Sequence, residues 1–168
     1  MLIYHPAFDP YHAAFRILLL STRMGMDEIE TERMRVWDFY FTFPGEAKHI
    51  SFPGDLIALK KVFKDTPNEY EDLVDAKRIF ERMKPFQYSA MRYLAAHGLI
   101  ESKELSKDKI KRTEKTIPNE LVEKMNSLTV QQENIIKLVT SPFNNLPLYG
   151  NNGFKFRTKL LEFKYDAV

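Results

Sequence analysis

Apolar positions recur at helical spacing along most of the chain, and turn-forming residues cut that pattern into short segments. Residues 10–24 carry Tyr11, Phe15, Leu18, Leu19 and Leu20 with only Arg16 and Arg23 charged, which predicts a helix buried on more than one side. Asp9 suits its N-cap and Pro10 its first turn, where a missing N–H costs nothing, and Gly25 suits its stop. A second helix is predicted from Asp27 to about Phe43. Asp27, Glu28 and Glu30 stand at the favourable end of its dipole, and Ile29, Val36, Trp37, Tyr40 and Phe41 form its inner stripe. Pro44, Gly45, Pro53 and Gly54 make 44–54 a loop or bent connection. Leu56, Leu59, Val62 and Phe63 mark a short helix ending near Pro67, and Leu73, Ala76, Ile79, Phe80 and Met83 another, broken at Pro85. Residues 86–97 form a further helix through Ala90, Met91, Leu94 and Ala95, closed by Gly98.

The pattern then changes. Residues 91–101 read as the third helix of a winged helix passing into its first wing strand, and the β-branched, basic stretch 109–117 as the strand that returns. Two helices follow, near 119–126 and 130–140, the second opened by a Thr129/Gln132 capping box. Residues 141–153 hold turn chemistry interleaved with Phe143, Leu146, Leu148 and Tyr149, as expected of an ordered, packed loop. Phe154, Phe156, Leu160 and Leu161 then predict a short helix or terminal strand. The expected fold is mainly α with a small β component: a single compact domain over 1–168, containing a winged-helix-like part at about 68–117 with a β-hairpin wing near 99–117.

Composition narrows the class. A chain of 168 residues buries roughly two thirds of its unfolded surface, so it needs no disulfide or metal staple. There is no cysteine, which excludes thiolate chemistry and fits a reducing compartment. No apolar run approaches a bilayer span and no secretory leader pattern is present, so a cytoplasmic protein away from the membrane is expected. Twenty-five basic and 23 acidic residues give a net charge of +2, too even to argue for nucleic acid on its own. Thirteen Phe and eight Tyr are many, and suit a subunit that buries surface against partners as well as a filled core.

Candidate chemistry is sparse. The segment Tyr4-His5-Pro6-Ala7-Phe8-Asp9-Pro10-Tyr11-His12 is too apolar for a free tail, so it is expected to dock, with another chain as a candidate surface. His5, Asp9 and His12 have ligand chemistry without the i, i+4 spacing of a helical zinc pair, and no metal or other cofactor is expected. No nucleophile motif and no glycine-rich phosphate loop is present, so no enzymatic activity is expected. Asp38 lies among aromatics, and Arg35 three residues earlier on the helix makes a structural ion pair its expected role. A basic run from Lys103 holds Lys107, Lys109, Lys111, Arg112 and Lys115. It is a solvated loop or, if a wing, a stretch that lies along a phosphate backbone.

Three blocks together, residues 4–18, 32–44 and 146–166, resemble a middle component of bacterial three-component ABC systems, the group that includes the Lamassu anti-phage defences. The blocks read Tyr4-His5-Pro6-Ala7-Phe8-Asp9-Pro10-Tyr11, Arg35-Val36-Trp37-Asp38-Phe39-Tyr40-Phe41 and Leu146-Pro147-Leu148-Tyr149-Gly150-Asn151-Asn152-Gly153, while 45–85 contributes nothing recognisable. The resemblance implies a small non-enzymatic subunit that bridges an SMC-like ABC ATPase and an effector, often a nuclease, and couples sensing of invading DNA to effector activation. By motif match its partner-binding residues are Tyr4, His5, Phe8, Asp9 and Tyr11 in the first block and Tyr149, Arg157 and Phe163 in the last. DNA then acts through the complex. The alternative is a winged-helix DNA-binding regulator acting on its own.

Overall fold

A computed structural model describes residues 5–66 and 73–161. The described residues are mainly helical with one small two-stranded antiparallel sheet, and the chain divides into two compact units. Unit 1 comprises Met1–Phe39 and Arg82–Thr129, and unit 2 comprises Tyr40–Glu81 and Val130–Val168. Among the described residues no helix is long and apolar enough to cross a membrane.

In unit 1, α1 (Pro10–Arg23) starts where the Asp9 carboxylate accepts from the His12 N–H at 2.9 Å and stops before Gly25, whose φ of +70° an L-residue rarely adopts. It buries Ala13, Ala14, Ile17, Leu18, Leu19 and Leu20, more than one face of the helix, as its low charge requires. The acidic stretch before Thr31 does not open the next helix. Ile29 and Glu30 form strand β1 (Ile29–Glu30), and α2 (Thr31–Thr42) begins after it. Tertiary pairing overrides local helix signals here: β1 runs antiparallel to β2 (Lys109–Ile110) with Ile29 opposite Ile110, both buried, and the Thr31 N–H donates to the Asp108 carbonyl. The basic stretch read as a strand over 109–117 is thus two residues long. It is prolonged by one antiparallel bridge, Ile100 with Arg112. Between the paired segments sit α4 (Ser102–Leu105) and Asp108 at φ +58°, and α5 (Asn119–Met125) follows.

The helix expected to break at Pro85 continues through it as α3 (Ala76–Ala96). Proline inside a helix costs about 3 kcal/mol. Its ring sits on the exposed side, while Phe80, Met83, Ala90, Met91 and Leu94 are buried on either side of it. At about 1.5–3 kcal/mol for each large apolar side chain, two of these already offset the proline.

Unit 2 is built on an aromatic core. Phe143 lies 5.0 Å from Phe52 and 5.8 Å from Phe154 between ring centroids, and Phe63 lies 6.4 Å from Phe52. Residues 44–54, expected as a loop, include a buried 3₁₀ turn over Pro44–His49, and a second 3₁₀ segment covers Gly54–Phe63. Helix α6 (Val130–Thr140) contributes Ile135, Ile136, Leu138 and Val139, and α7 (Phe154–Thr158) completes the described chain. Burial, with the Glu46 carboxylate nearby, pushes the Tyr40 hydroxyl far above its ordinary value, so it stays protonated.

Candidate partner-binding surface

Two cap-and-proline pairs in succession hold the first described residues. His5 Nδ1 accepts from the Ala7 N–H at 3.1 Å, starting the 3₁₀ turn Pro6–Phe8, and Asp9 with Pro10 then starts α1. The segment docks on its own unit, not in solvent. Ala7 is fully buried, and the Phe8 ring lies 6.0 Å from Phe86 with the Arg82 guanidinium 4.4 Å from its centroid.

Beneath it runs a buried polar network. Arg16 donates to both Asp38 oxygens, Nε to Oδ1 at 2.5 Å and Nη2 to Oδ2 at 3.2 Å, and its Nη1 reaches the Pro6 carbonyl at 3.0 Å. Gln87 Nε2 donates to Asp38 Oδ2 at 2.8 Å, and Gln87 Oε1 accepts from Arg35 Nε at 2.9 Å. The bidentate partner of Asp38 is therefore Arg16, 22 residues away. A carboxylate with a fork-shaped cation and an amide satisfies its lone pairs without water, which burial demands. The network fixes the N-terminal turn through the Pro6 carbonyl.

The residues singled out by sequence fall into distinct environments. Tyr4 and Phe163 lie outside the described residues. His5, Phe8 and Asp9 are half-buried in the caps and ring contacts above, and Asp9 also meets His12 Nδ1 at 3.1 Å. Tyr11 is 72 % exposed, its ring edge-on to Tyr93, which stacks in turn with His97 at 4.1 Å. In unit 2, Tyr149 is 52 % exposed on the loop before α7, with Lys155 Nζ 4.6 Å from its ring centroid. That loop is ordered by Phe154 N–H donating to the Pro147 carbonyl and Lys155 N–H to the Leu148 carbonyl. Gly153 is required there for space: a Cβ would strike the Tyr149 carbonyl and the Leu148 oxygen. Arg157 ties the same loop to the segment before Pro53, donating to the carbonyls of Asn152 at 2.8 Å and Ser51 at 3.0 Å.

The basic stretch separates likewise. Arg112 is buried, its Nη1 donating to the Leu99 carbonyl and its Nη2 to the Lys115 carbonyl at 3.0 Å, and burial lowers its pKa. Lys109 stands opposite Glu30 in the β ladder, Lys107 pairs with Glu104 at 3.3 Å, and Lys111 is half-buried. Lys115 is exposed, its Nζ 2.6 Å from the His97 carbonyl at the end of α3. Sequence reasoning passed over Arg82, Lys84, Phe86 and Gln87, because the proline between them reads as a helix end.

Taken together, the described residues form a helical protein that presents exposed aromatics on ordered loops and helix starts, with no group of acids and histidines able to hold a metal ion. The chain belongs to the family of Middle Component 5 of the ABC-three component (ABC-3C) systems, whose family model matches residues 2–166. No curated protein and no solved structure matches it.

Proposed function

We propose that this chain is the non-enzymatic bridging subunit of a Lamassu-type defence complex, linking an SMC-like ABC ATPase to an effector, often a nuclease, and controlling its activation. The observation that carries this is the family match across nearly the whole chain, since a middle component of a three-component system has partner components by definition. Exposed Tyr11 and Tyr149 are its contact residues: large amphipathic rings held on ordered backbone, the side chains that anchor protein interfaces. The winged-helix-like part, expected at about 68–117, is drawn here to take in α1, β1 and α2 of unit 1 as well. What supports this is the order α1, β1, α2, α3, a strand residue at Ile100 and the returning stretch at 109–112, which pairs with β1 and bridges back to Ile100.

The test is affinity purification of the tagged protein from its native host with mass spectrometry of what co-elutes. A long coiled-coil ATPase together with an effector is expected, and Tyr11→Asp is expected to weaken that assembly at least tenfold while leaving the fold intact. A protein that elutes alone overturns the bridging role.

A further inference from the structure

Because α3 passes unbroken through Pro85, it gathers on one helix residues that a break would have separated. Met83, Gln87, Ala90, Met91 and Leu94 turn inward, leaving a broad solvent face with Arg82, Lys84, Tyr88, Ser89, Arg92 and Tyr93 exposed or half-exposed. At about 100° per residue, Arg92 projects midway between Lys84 and Arg82, about 80° from each. No acid occurs between Glu81 and Glu101. Lys84, Arg92 and Lys115 make no ion pair among the described residues. Lys115, hydrogen-bonded to the His97 carbonyl, adds a cation where the helix ends.

We infer that this face of α3, with Lys115, binds the phosphate backbone of double-stranded DNA. From Arg82 to His97 the helix covers roughly 22 Å at 1.5 Å per residue, against one phosphate charge per ~1.7 Å of duplex axis, so several phosphates lie within reach of four cations. The hydroxyls of Tyr88, Ser89 and Tyr93 interleave with those cations, and side-chain hydroxyls are regular donors to phosphate oxygens. A repeating polyanion matches cations and hydroxyls spread along one helix face better than an acidic protein segment does. The surface differs from the basic run at 103–115, whose Arg112 is buried and whose Lys107 and Lys109 face carboxylates. The inference is independent of the bridging role.

The test is fluorescence anisotropy of the full chain with a labelled, mixed-sequence duplex about two helical turns long. Four phosphate contacts predict that affinity falls about 150-fold between roughly 50 and 200 mM salt. The double substitution K84E/R92E should weaken binding at least tenfold at the low-salt end and flatten the salt slope by about 2. K107E should change little. Circular dichroism establishes that the double variant is folded, and K84Q/R92Q, expected to act in the same direction, replaces it if it is not. Three results overturn the inference: no duplex binding by wild type at low salt, wild-type binding by the double variant, or tighter binding of a polyglutamate peptide than of duplex to the same face.

Discussion

The two units solve the same packing problem with opposite chemistry. Unit 1 runs a buried chain of directional polar contacts, Pro6 carbonyl to Arg16 to Asp38 to Gln87 to Arg35, through its interior. Unit 2 fills its interior with rings, Phe63, Phe52, Phe143 and Phe154 in sequence. Ring packing is tolerant of direction and sensitive to volume, whereas a buried ion pair is sensitive to the loss of any one partner. The polar arrangement fastens one particular carbonyl, that of Pro6, and so sets where the segment leading to Tyr11 lies. Loose hydrophobic contact alone would not position it so closely.

The contrast can be broken at Asp38. Asp38→Ala leaves the Arg16 guanidinium buried without its carboxylate and should cost about 3–5 kcal/mol in a denaturant titration. A cost no larger than that of a ring trimming in unit 2 would mean that the network contributes nothing special. Next in size, Gly153→Ala forces a methyl into the Tyr149 backbone and should lower stability by about 1–3 kcal/mol, the cost of overpacking. Phe52→Leu keeps the core apolar and close in volume, so about 1.5 kcal/mol is expected from thermal melts. The smallest effect belongs to Glu30. Burial is the largest single influence and raises its pKa, but the hydrogen bond from Arg33 at 2.8 Å, a backbone hydrogen bond and the charges of Arg33 and Lys109 together hold the carboxyl below its ordinary range. Its stabilising effect is therefore complete above the unfolded-state pKa and is lost as pH falls through the folded one. Glu30→Gln should cost less than about 1 kcal/mol at neutral pH and nothing in strong acid, as seen in melts across that range.

Local signals were legible in the sequence where local physics decides. Asp9 with Pro10 starts α1, Gly25 and Gly98 take positive φ after helices, and α5 and α6 fall where their periodicity places them. Long-range contacts were not legible. Ile29 reads as helix until Ile110 pairs with it, Pro85 reads as a break until the apolar stripe beneath it is buried, and Asp38 has an obvious helix neighbour in Arg35 while Arg16 takes both its oxygens. The candidate site shows the same division. The first block was correctly read as docked, but Tyr11 at 72 % exposure and Tyr40 at 4 % are the same residue type in similar aromatic surroundings. Which ring faces solvent depends on the partners that folding brings to it.

The Asp38–Gln87 bond also carries a consequence for synthesis. Its two ends are 49 residues apart, and the chain between them belongs largely to unit 2. At translation rates of about 5–20 residues per second, Gln87 emerges roughly 2 to 10 seconds after Asp38. During that interval Arg16 and Asp38 have left the ribosome while the helix that closes over them does not yet exist. The nascent N-terminal half is an unfinished surface, on which a chaperone or an assembly partner acting during translation has its opportunity.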